Sequence, residues 1–107
     1  MLKNEVRLEI WKLLDSMSQA GFGRMENIGI KNGCPYYTPE SRIVRSVLLD
    51  KKKFEHTPSR PDGNFLLTER QIVFVNTIEA VRNGNIVSLL FSDGLPGRMD
   101  IAERLPL

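Results

Sequence analysis

Gly23–Pro35, GRMENIGIKNGCP, and Gly84–Pro96, GNIVSLLFSDGLP, stand 61 residues apart and read as one element written twice. At that offset Gly23 falls on Gly84, Asn32 on Asp93, Gly33 on Gly94 and Pro35 on Pro96. The register continues upstream, where Leu14, Asp15, Ser16 and Met17 fall on Val75, Asn76, Thr77 and Ile78. Two glycines, a proline and a turn dipeptide kept in one register indicate an internal duplication of a supersecondary unit. Two copies are too few for a solenoid, and neither copy alone buries enough apolar surface to fold comfortably. The expectation is therefore a single domain over 1–107 with one fused core. Unit 1 spans about 3–50, a linker covers 51–65, and unit 2 spans about 66–107.

Working outward, each element follows a helix. Val6, Ile10, Leu13, Leu14, Met17 and Gly21 recur at helical spacing, with Glu5, Glu9, Lys12, Asp15 and Gln19 on the other side. In the second unit Leu67, Phe74, Val75, Ile78 and Val81 form the equivalent stripe, Thr68 is placed as N-cap, and Gln71 completes a capping box. Gly21 and Asn83-Gly84 stop the two helices.

Asn32-Gly33 and Asp93-Gly94 are strong hairpin signals. If Val87, Leu89 and Phe91 share a face with Leu95, Met99 and Ile101, a two-residue loop sets the two apolar sets on opposite faces. A three-residue loop with a glycine bulge repairs this and points Pro35 and Pro96 outward. The β-branched run Ile43–Leu49 reads as a third strand of the first half, and Ala102–Leu105 as a short closing strand. The predicted fold is α+β, a two-layer sandwich. An antiparallel sheet carries two helices on one face, built from an internal α-β-β duplication.

Composition narrows the function. The 107 residues are 41% hydrophobic and 26% charged, an ordinary globular balance, and the net charge of +2 does not by itself call for a polyanionic partner. One cysteine, Cys34, permits no intrachain disulfide, so a reducing, cytoplasmic setting is expected. Charged residues interrupt Met1–Asp15, unlike a signal peptide, and no run approaches the ~20 apolar residues of a membrane span.

Chemistry-bearing residues are sparse. His56 lies in the linker without a partner nucleophile, no His/Cys/carboxylate spacing makes a metal site, and Cys34 reads as a packing residue beside the turn. Gly21-Phe22-Gly23 follows a helix and precedes a strand, the reverse of a dinucleotide fingerprint. The expectation is a non-enzymatic protein with no cofactor, no metal and no membrane partner.

Two binding surfaces suggest themselves. Trp11 and the matching Ile72 border the apolar faces of their helices, an arrangement suited to a protein interface or self-association. Arg42, Arg45, Lys51, Lys52, Lys53 and Arg60 face only Asp50 and Glu55 over 42–60, a local excess of four positive charges. With Tyr36 and Tyr37 as stacking groups, this run is the nucleic-acid alternative. The leading expectation is a protein-interaction module, self-association included.

The stretch from about Gln71 to Leu107 runs from a helix through Arg82-Asn83-Gly84-Asn85-Ile86-Val87-Ser88-Leu89-Leu90-Phe91-Ser92-Asp93-Gly94 to Glu103-Arg104-Leu105. It resembles the YezD-like family of small uncharacterised bacterial proteins, which are similar in having one helix, a glycine, an apolar strand, an Asp-Gly turn and a closing strand. The resemblance implies a bacterial cytoplasmic protein and a fold, with no activity to carry over.

Overall fold

The computed structural model describes residues 1–49 and 63–106. Helix α1 (Leu8–Ala20) leads into strands β1 (Gly23–Lys31) and β2 (Cys34–Arg45); helix α2 (Glu69–Val81) leads into β3 (Gly84–Ser92) and β4 (Leu95–Ala102). The strands form one antiparallel sheet in the order β2-β1-β3-β4. Both helices bury their apolar stripes in the same core on one face of this sheet, so the fold is an α+β two-layer sandwich.

The two hairpins meet through their first strands. Gly23 pairs with Phe91 and Ile30 with Gly84, and the 61-residue offset carries the first pair onto the second. Burial follows the same offset. Among the described residues fifteen hydrophobic side chains are buried, and fourteen form seven pairs at that spacing: Val6/Leu67, Leu13/Phe74, Leu14/Val75, Met17/Ile78, Met25/Ile86, Ile28/Leu89 and Ile30/Phe91. Ile10 is the exception, because its counterpart Gln71 is committed to the capping box with Thr68.

Each helix end is tied to the other unit's hairpin. The Gly94 amide donates to the Gly21 carbonyl at 2.8 Å, and the Gly33 amide donates to the Arg82 carbonyl at 2.8 Å. Gly21 (φ 83°) and Arg82 (φ 65°) are the helix C-caps. At the second cap Arg82 takes the left-handed conformation, while Gly84, placed in the helix stop by the sequence reading, opens β3 instead.

The hairpins correct the expected register. Asn32 and Gly33 have φ of 53° and 73°, Asp93 and Gly94 of 50° and 75°, so each loop has two residues, both at positive φ as in a type I′ turn. Lys31 pairs with Cys34 and Ser92 with Leu95. Ile30 then opposes Pro35 and Phe91 opposes Pro96, and both prolines are buried rather than outward. The parity problem is solved inside the strands. Gly97 is an extra residue between the pairs Leu90–Arg98 and Phe91–Pro96, while a second irregularity at Val87 leaves that side chain 46% exposed and buries Ile86.

In the first hairpin four residues, Thr38–Ser41, bulge opposite Asn27, which has φ 59°. The bulge is held by hydrogen bonds from the Thr38 amide to Ser41 Oγ and from Ser41 Oγ to the Asn27 carbonyl. Beyond it Arg42–Arg45 resume pairing with Gly23–Glu26. Of the expected third strand at Ile43–Leu49, only Ile43–Arg45 is strand, as the far end of β2, and the residues from Ser46 to Leu49 lie outside the sheet. No closing strand forms after Ala102 among the described residues.

Candidate functional site

The face of the sheet away from the helices is read off the register as cross-strand rows. One runs Val44–Arg24–Leu90–Arg98, the next Arg42–Glu26–Ser88–Asp100, and a third Tyr36–Gly29–Asn85–Ala102. The Tyr36 ring lies over Gly29, where a Cβ would stand 2.3 Å from Cζ. Glycine there lets the ring lie down on the sheet.

Glu26 accepts from the guanidinium groups of both Arg24, at 3.2 Å, and Arg42. The Arg42 hydrogen bond first, and the Arg24 bond second, hold the Glu26 carboxyl below its ordinary pKa. A carboxylate so held stabilises the fold above its unfolded pKa, and this contribution disappears as pH falls through the lowered value. The stability gap between wild type and Glu26→Gln should therefore be open at neutral pH and close in acid. A gap that stays constant in thermal melts down the acid range would contradict this. On β4, Arg98 pairs with Asp100 at 3.4 Å, both well exposed.

The sheet's two outer edges differ. The β2 edge carries Pro35 and Pro39 and is broken by the Thr38–Ser41 bulge. Proline lacks the donor that a ladder needs, and a bulge disrupts pairing, so this edge is poorly suited to adding a strand. The β4 edge has its only proline, Pro96, at the second position and its bulge next to it at Gly97, and continues regularly through Arg98–Ala102. Among the described residues no strand pairs beyond it.

Two open grooves lie between each helix and its outer strand. One, of about 350 Å³, is lined by residues that include Ser16, Met25, Ile28, Tyr37 and Ile43. The other, of about 460 Å³, includes Val73, Thr77, Leu89, Met99 and Ile101.

The residues singled out in the sequence fall in different places. Tyr36 and Arg42 share the outer face, three β1 positions apart at Gly29 and Glu26. Tyr37 pairs with Ile28, so it points to the helix side. Arg45 is exposed at the end of β2, opposite Gly23. Lys51, Lys52, Lys53 and Arg60 lie outside the described residues. Trp11 is half-buried against the core and takes Phe65 edge-on at 5.5 Å, with Lys3 Nζ 5.3 Å from its ring centroid. Ile72 is likewise half-buried against the core. From the sequence, Asp100 reads with Glu26, Asp93 and Glu103 as a dispersed surface or turn carboxylate, and Arg98 is not singled out. Their alternation with apolar Met99 and Ile101 on a last strand was the available signal.

Among the described residues, no helix is long and apolar enough to cross a membrane, and no three His, Cys, Asp or Glu side chains cluster as a metal site would require. No family model matches this chain, and neither does any curated protein or solved structure.

Proposed function

We propose that this protein is a non-enzymatic interaction module that works by pairing its sheet with a protein partner, and that it associates with itself. The observation that carries the reading is the asymmetry of the edges among the described residues: β2 is interrupted mid-strand by Pro39 and a four-residue bulge, while the bulge of β4 lies at Gly97 beside the turn and leaves Arg98 to Ala102 as a regular run with no strand beyond it. An exposed edge with free backbone donors and acceptors is a template for a further strand. Among the described residues Arg24 and Arg42 converge on Glu26, and a carboxylate held charged by two guanidinium groups is a poor proton donor near neutrality. The seven core pairs at a constant offset favour descent from a single α-β-β unit whose copies once paired as β1 and β3 do now.

Nucleic-acid binding has less behind it. Tyr36 and Tyr37 point to opposite faces, and Arg42 is engaged by Glu26. Sedimentation equilibrium between about 1 and 200 μM, where an interface of modest affinity populates a dimer, tests the proposal. A monomer–dimer equilibrium in that range is expected. A monomer at every concentration would overturn self-association.

A further inference from the structure

The partner and its register can be read from the β4 edge, an inference that rests on the self-association proposed above. We propose that two copies join β4 to β4 antiparallel about a twofold axis at Met99, extending the sheet from four strands to eight. The occupant of the edge is a second copy because the edge is self-complementary.

Along the outer face β4 presents Arg98 and Asp100, two positions apart and opposite in charge. A twofold at Met99 sets Arg98 directly across from Asp100 of the second copy, and Asp100 across from its Arg98. Directly opposed side chains on an antiparallel pair are the closest cross-strand neighbours, so opposite charges there stabilise and like charges destabilise. Each charge in this arrangement has an opposite charge beside it on its own strand and another across the junction.

Other registers fare worse. β4 spans Leu95–Ala102, so centring on Arg98 or on Met99 gives the longest overlap. Centring on Arg98 opposes that arginine to itself. Centring on Asp100 opposes two carboxylates. A slip of one residue inverts one sheet and sends its helices to the opposite side.

The helix side of the edge agrees. Met99 and Ile101 are only half-buried and border the groove beside α2, where Val73 is 58% exposed. With the axis at Met99 the two methionines meet on this side of the junction, and Ile101 of each copy lies two positions further along the helix side of its strand.

Charge reversal tests the register. Arg98→Glu opposes two acidic groups at both symmetric positions and should weaken the dimer at least about tenfold; Asp100→Arg opposes two basic groups with the same effect. The double variant Arg98→Glu/Asp100→Arg rebuilds both pairs with exchanged signs and should restore the wild-type dissociation constant. Each is measured by sedimentation equilibrium, with a thermal melt to establish folding. In a Cys34→Ser background, Met99→Cys should form a disulfide-linked dimer on mild oxidation. A wild-type dimer whose affinity ignores both single reversals would overturn the register while leaving self-association standing. A wild type that stays monomeric would overturn both. Failure of the double variant to recover, with its fold intact, would also count against the pairing.

Discussion

Gly23→Ala should destabilise the fold by about 3 kcal/mol or more, lowering the melting temperature by roughly 12 °C or more. Gly23 adopts φ 148°, which L side chains rarely accept, and a Cβ there would lie 2.1 Å from the Val44 carbonyl oxygen. Both obstacles are backbone, so no rotamer change relieves them. The counterpart Gly84 is under less constraint. Its φ is ordinary for any residue, and the nearest atom to an added Cβ is the Ala102 carbonyl oxygen at 3.0 Å. Gly84→Ala should cost only about 1 kcal/mol. Thermal denaturation followed by circular dichroism separates the two. Equal losses would mean that the two units hold their first strands alike and that the account of Gly23 is wrong.

Ile86→Ala should cost about 2–5 kcal/mol, whereas Val87→Ala should stay within about 0.5 kcal/mol. Ile86 is fully buried, opposite Ile28 on one side and Ile101 on the other. Removing its side chain leaves a cavity at the centre of the sheet's inner face. Val87 is 46% exposed at the irregularity of β3. Simple alternation from Leu89 and Phe91 puts Val87 inside and Ile86 outside, so urea denaturation of this pair decides between regular pleating and the bulged strand. The larger loss on Val87→Ala would contradict the bulge.

Much of the architecture was legible because it is carried by periodicity and local chemistry. The stripes of α1 and α2, the Thr68–Gln71 capping box and the two turn dipeptides all lie where the sequence places them. What was not legible depends on pairs of strands. A strand's alternation switches face wherever an extra residue enters, and nothing local to Val87 or Gly97 announces that its partner strand lacks a matching residue. Proline is commonly placed outward because it lacks a donor, but Pro35 and Pro96 are buried opposite Ile30 and Phe91 at the ends of the ladders, next to the turns. The Ile43–Leu49 run looked separate because Pro39 and its neighbours interrupt it. Those residues loop out opposite one left-handed asparagine and the strand resumes.

The candidate surface was less visible. Helix-margin residues such as Trp11 stand out by size, yet its ring is already in contact with Phe65 and Lys3 of the same chain. Adjacent tyrosines suggest one stacking surface, but on a strand neighbours face opposite ways, as Tyr36 and Tyr37 do. Arg98 and Asp100 gain meaning only once β4 is known to be the open edge.

Amide hydrogen exchange at low and high protein concentration tests that edge most directly. Pairing of β4 with a second copy predicts that amides within Gly97–Ala102 gain protection as concentration rises, while those of Thr38–Arg45 on the opposite edge do not. Protection of the β4 amides that is unchanged across a concentration range in which the protein dimerises would show that it associates through another surface.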